Sequence, residues 1–143
     1  FGSCREALKS GSLGQLVTKI IATLFAIVLI PSVMIFLWAG DIFAIVFGEA
    51  WREAGDYASW MVLGLSVQFV YSPISMVLMA TDGQKVNLSI HFFMLVAKAS
   101  AVVIGYCAGS PLLAVIGFSA VGVTGYLYAV IIVWIRARRY SVL

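Results

Sequence analysis

Charge is what this sequence has least of. Asp, Glu, Lys and Arg make up 10% of its 143 residues, against about 25% in an average soluble domain. A chain that is 63% hydrophobic, with a mean hydropathy of +1.08, has too little polar surface to face water on all sides. It reads as an all-α integral membrane protein, because helices satisfy their own backbone in hydrocarbon.

Cysteine is also scarce. Cys4 and Cys107 are too few for a disulfide framework. The topology derived below sets them near opposite faces of a hydrocarbon core about 30 Å thick, so they cannot pair within one chain. No Asp or Glu falls in a long apolar run, and His91 is the one histidine. There is no embedded carboxylate pair, no cluster with metal-ligand spacing, no phosphate-cradling glycine loop and no nucleophile beside a base, so neither enzyme chemistry, a cofactor nor a metal is expected. The net charge of +3 comes from cations beside apolar runs, not from a basic stripe with interleaved aromatics. Nucleic acid is therefore not an expected partner.

What is present is four runs long enough to span, at residues 20–39, 57–80, 86–108 and 111–135. Between the first two, the segment 41–56 holds an apolar stretch too short to span, followed by Glu49, Trp51, Arg52 and Glu53. It is expected at the external interface, with Trp51 as an anchor. Thr81-Asp82-Gly83 and Gly109-Ser110-Pro111 make tight antiparallel connections. Arg5, Lys9, Lys19, Lys85, Arg136, Arg138 and Arg139 then share one side, and Arg52 stands on the other among Asp41, Glu49, Glu53 and Asp56. By the positive-inside rule both termini are cytoplasmic, in a multi-pass protein of the cell inner membrane. The chain opens on Phe1, without the ordered regions of a secretory signal, and reads as a fragment of something longer.

Inside the spans a few positions stand out. Lys98 lies 12 residues from Val86, or about 18 Å along a helix, too deep for easy snorkelling. Such a charge costs about 2.5–3.5 kcal/mol at the centre of a span on insertion scales, and it normally faces a cavity, a ligand or another helix. Two readings stay open for it: a direct role in an anionic-substrate cavity, or a structural role against carbonyls or a helix outside this chain. His91, Lys98 and Gly105 are seven apart and share a stripe. His91 is shallow enough to be an ordinary interfacial residue. On the second span Gly64, Gln68, Ser72 and Ser75 fall on one face, where Gln68 is a candidate substrate contact or an interhelical hydrogen-bonding group. Gly122, Gly125 and Ala129 form a smooth stripe suited to helix packing. Pro31 and Pro73 can bend their spans.

One element carries a family resemblance. Phe47-Gly48-Glu49-Ala50-Trp51-Arg52-Glu53-Ala54-Gly55, then a span bearing Pro73, a short Gly83-Gln84-Lys85 turn and two further spans, resembles the C-terminal part of the polysaccharide-repeat flippases. These are the Wzx-like proteins of the multidrug/oligosaccharidyl-lipid/polysaccharide exporter superfamily. The resemblance extends over residues 13–139 and implies a larger two-lobe transporter, of which an N-terminal lobe lies outside this chain. It implies flipping of polyprenyl-diphosphate-linked oligosaccharide for O-antigen, capsule or exopolysaccharide synthesis, with a polysaccharide polymerase as a further partner. Lys98, His91 and Gln68 would then be the substrate-binding candidates. The alternatives are a cation-coupled multidrug exporter of the same superfamily, which would use membrane carboxylates, and a non-transporting membrane assembly subunit.

Overall fold

The computed structural model describes residues 13–80 and 83–140, and all of their regular structure is helical. Cys4, Arg5, Lys9, Thr81 and Asp82 lie outside the described residues. Helix α1 spans Leu13–Phe47, a 3-10 turn spans Glu49–Trp51, α2 spans Arg52–Ile74, α3 spans Met76–Ala80, α4 spans Gln84–Cys107 and α5 spans Pro111–Tyr140. Among the described residues four stretches are long and apolar enough to cross a membrane, as the sequence leads one to expect.

The helix ends differ from the apolar boundaries, each for a local reason. At 35 residues α1 is about 52 Å long, well beyond a hydrocarbon core of about 30 Å. Nothing between Ala39 and Phe47 stops it. The expected interfacial segment 41–56 is therefore not a separate element: 41–47 continue α1 and 52–56 already belong to α2. The break comes at Gly48, whose φ of 99° suits a residue without a Cβ. Its N–H still bonds to Ala44 O at 2.9 Å, and its carbonyl accepts from Trp51 N at 2.9 Å. Pro31 sits inside α1 without ending it.

The second expected span divides just after Pro73, a residue that has no N–H to donate to the preceding turn. Ser75 N bonds back to Tyr71 O at 2.9 Å, Leu78 N turns tightly onto Ser75 O at 3.0 Å, and α3 follows as a short separate helix. At the far end of α4, Gly109 adopts φ 65°. Gly109 N reaches Tyr106 O at 3.0 Å and Ser110 N reaches Gly105 O at 3.1 Å, the paired bonds of a Schellman motif. Ser110 then caps α5, its Oγ accepting from Leu113 N at 3.4 Å, with Pro111 at the first helical position.

In space the helices do not follow chain order. α2 packs between α1 and α5, and α5 packs between α2 and α4 while also touching α1. Trp134 Nε1 on α5 donates to Thr18 Oγ1 on α1 at 3.1 Å, and Gly83, before α4, lies against Arg136 of α5. Lys19, Lys85, Arg136, Arg138 and Arg139 therefore share one end of the bundle. Asp41, Glu49, Arg52, Glu53 and Asp56 share the other, where Arg52 bonds to Glu49 at 2.6 Å and to Asp41. The buried core lies toward the cationic end and includes Val17, Tyr71, Ile74, Leu78, Met94, Tyr126, Ala129 and Val133. Toward the other end α1 and α2 are joined by Gly55, whose Cβ would stand 2.7 Å from the Gly40 Cα, and by Phe36 set edge-on to Trp60 at 5.7 Å. Large apolar side chains such as Ile30 (69% exposed) and Phe93 (79%) face outward, as lipid contact requires.

Midway along the α1–α2 contact, Ser32 Oγ and Ser66 Oγ are 2.5 Å apart. Replacing both by cysteine, in a background with Cys4 and Cys107 changed to serine, should give an intramolecular disulfide on mild oxidation, seen as faster migration on non-reducing electrophoresis. A pairing of Ser32→Cys with Gln68→Cys, whose side chain is exposed on another face of α2, should stay uncrosslinked under the same conditions.

Candidate functional site

The seam between α4 and α5 is built from small residues meeting in antiparallel order. Gly105 lies against Ala114, Ala101 against Gly117, Lys98 against Gly122 and Met94 against Gly125. The spacing explains the match. Residues 94, 98, 101 and 105 share one face of α4, while 114, 117, 122 and 125 lie along the facing side of α5. A Cβ on Gly105 would come 2.5 Å from the Ala114 Cα, so the two backbones are nearly in contact there. Gly122 is flanked on a second side by α2: its Cβ would meet Gly64 Cα at 3.5 Å and Lys98 Cε at 3.7 Å. The Lys98 stem thus lies in a junction of α2, α4 and α5.

The ammonium of Lys98 lies over two aromatic faces of α5, 4.5 Å from the Phe118 ring centroid and 5.3 Å from that of Tyr126. Phe118, Gly122 and Tyr126 are four apart, so the glycine leaves a notch between two rings and the lysine enters it. Ring faces attract a cation, the more so when water is excluded. They accept no ordinary hydrogen bond, and among the described residues Lys98 has no carboxylate and no hydrogen-bond acceptor. Three N–H donors remain for anything that enters from the partly open side.

An aromatic and polar group continues from this junction toward the cationic end. Tyr71 of α2 stacks near Tyr126 at 5.6 Å and near His91 of α4 at 5.9 Å, and its hydroxyl donates to Asn87 Oδ1 at 2.5 Å. His91 Nδ1 stands 2.9 Å from the Asn87 carbonyl. A carbonyl only accepts, so Nδ1 carries a proton and Nε2 points outward. His91 is exposed at the rim, next to Tyr126 at 6.3 Å, whereas Lys98 and Gly105 of the same stripe face α5.

Gln68 is not brought to this junction. It is exposed, as is Ser72, and the face of α2 turned toward α5 is Gly64, Val67, Tyr71 and Ile74. The side-chain bonds that α2 does make across helices come from Tyr71, to Asn87 of α4, and from Ser66, to Ser32 of α1. Gly122, Gly125 and Ala129 all lie in packed positions, with Met94 Sδ 2.8 Å from where a Gly125 Cβ would stand and Ala129 fully buried. The residues that sequence reasoning missed are Tyr71, Phe118 and Tyr126. Their signal was the four-residue spacing of Phe118 and Tyr126 about Gly122.

Among the described residues no group of three His, Cys, Asp or Glu side chains could hold a metal ion. At the other end the acids engage Arg52 and Tyr57, with Glu53 accepting from the Tyr57 hydroxyl, so this region is a solvated, internally paired hairpin.

The seam gives a graded expectation. Gly122→Ala puts a methyl at ordinary contact distance and should change the melting temperature in detergent little. Gly105→Ala drives a Cβ into the α5 backbone, and overpacking of this kind costs about 1–3 kcal/mol. A lower melting temperature for Gly105→Ala than for Gly122→Ala is the expected ranking. No family model, curated protein or solved structure matches this chain.

Proposed function

We propose that this chain is the C-terminal part of a membrane transporter that flips polyprenyl-diphosphate-linked oligosaccharide across the cell inner membrane for polysaccharide synthesis. The observation that carries the reading is Lys98, a cation held in a three-helix junction by rings that leave its donors free. A compact ammonium with few competing water contacts attracts a diphosphate or a sugar acid more strongly than it would in bulk water. The resemblance of the Phe47–Gly55 element and the spans after it to Wzx-like flippases supports the same substrate class. The task moves a molecule and breaks no bond, so no catalytic residue, cofactor or metal is assigned. An N-terminal lobe would supply the opposite wall of the path, and a polysaccharide polymerase would take the product.

The second reading is a membrane assembly subunit that transports nothing. The glycine seam and the outward apolar faces of α1 and α4 favour it, because close helix packing alone accounts for them. In that case Lys98 would serve only as a packing element between Phe118 and Tyr126.

Lys98→Met keeps the length and apolar packing of the side chain and removes the charge. In a flippase-deficient strain, the full-length protein carrying it should stay at normal membrane abundance while surface polysaccharide falls about tenfold or more, the scale of one lost charge-assisted contact. Lys98→Arg should recover part of the output. Full output from Lys98→Met would remove the lysine from transport and leave the assembly reading. The orientation that goes with the proposal, both termini cytoplasmic, places exposed Cys107 outside. A membrane-impermeant maleimide should label Cys107, and not Cys4, in intact spheroplasts.

A further inference from the structure

A second polar site lies at the cationic end of the bundle. α3 and the first two turns of α4 form a cleft of about 440 Å³ lined by Met79, Gln84, Lys85, Asn87, Leu88 and His91. Its chemistry is one-sided. Lys85 is exposed and makes no ion pair or hydrogen bond among the described residues. Asn87 Oδ1 is occupied by the Tyr71 hydroxyl, which leaves both amide hydrogens of Nδ2 to donate. The Nδ1 proton of His91 is committed to the Asn87 carbonyl. Gln84 adds an amide, and among the described residues no carboxylate lines the cleft. The same pocket carries apolar surface beside these donors, with Met79 52% and Leu88 72% exposed.

A cation, several neutral donors and an apolar wall, at the end of a bundle where Lys19, Arg136, Arg138 and Arg139 also gather, match a phosphate ester attached to a lipid chain. We infer that the cleft around Lys85 binds the phosphate of an anionic lipid, with the hydrocarbon chain descending along Leu88. The site is distinct from Lys98. Thirteen residues of α4 separate the two lysines, about 20 Å along the axis, and a single phosphate cannot touch both. The inference does not rest on the transport reading. Two sources share the chemistry, a membrane phospholipid such as phosphatidylglycerol and a polyprenyl phosphate.

Native mass spectrometry of the chain released from nanodiscs of phosphatidylcholine and phosphatidylglycerol tests it. The expected result is one retained phosphatidylglycerol in excess over phosphatidylcholine. Lys85→Gln should reduce that excess about fivefold, the worth of one cation at an anionic surface, and Lys85→Arg should keep it. Lys19→Gln and Arg139→Gln, each removing a cation from the same end but not from the cleft, should leave it unchanged. Equal retention of both lipids would overturn the site, as would an equal drop in the Lys19 or Arg139 variants, which would mark diffuse charge attraction. With undecaprenyl phosphate added at a concentration equal to phosphatidylglycerol, displacement of the phospholipid identifies the polyprenyl source and its persistence identifies the phospholipid source. Either outcome upholds the cleft.

Discussion

The arrangement depends on how closely α5 lets its neighbours approach. Gly117, Gly122 and Gly125 remove side chains from the face turned to α4, and Gly122 does the same toward Gly64 of α2. In hydrocarbon there is little hydrophobic gain in bringing helices together, so contact must come from shape and from short-range attraction. Here the shape is nearly flat at the Gly105–Ala114 crossing and notched at Gly122. A lysine can sit in that notch because the surface around it is otherwise smooth. Were Gly122 a leucine, the Lys98 stem would have no place between Phe118 and Tyr126, and the three-helix junction would open.

The same geometry decides what kind of site Lys98 makes. A buried carboxylate beside it would form an ion pair and use up its donors. Two ring faces instead hold the cation by their quadrupoles and leave its N–H groups uncommitted. Retention and availability are thereby combined in one side chain. Tyr126 ties this junction to Tyr71 and His91, so the polar groups of α4 are backed by α2 and α5 from the rim to the middle of the bundle.

The number of helices long and apolar enough to span and the turn at Gly109-Ser110-Pro111 were legible in the sequence, because they follow from apolar run length and from Gly, Ser and Pro at the ends. Helix limits were less so. Asp41 reads as the edge of the membrane, but a helix does not have to end where hydrocarbon does, and α1 continues to Gly48. Gln68 shows a second kind of difficulty. Its polar stripe is real, yet polarity on a membrane helix does not say which face its neighbours cover, and the packed face runs through Gly64, Val67, Tyr71 and Ile74. Phe118 and Tyr126 were hidden for the opposite reason. Aromatic residues in an apolar run look like lipid-facing bulk until a cation is placed between them.

The shortness of the connections at the two ends of α4 limits its freedom. Three residues, 108–110, join it to α5, and three more, 81–83, join it to α3. Each residue spans at most about 3.6 Å, so lifting α4 away or drawing it lengthwise stretches one tie or the other. Rolling about its own long axis strains them least. In kinematic terms α4 is an axle held between two bearings, and Lys98 is a key projecting from its side. A roll would lift the ammonium out of the Phe118–Tyr126 notch, but it would also turn side chains of α4 against Ala114 where Gly105 now lets the backbones meet, so that crossing holds the lysine in its notch.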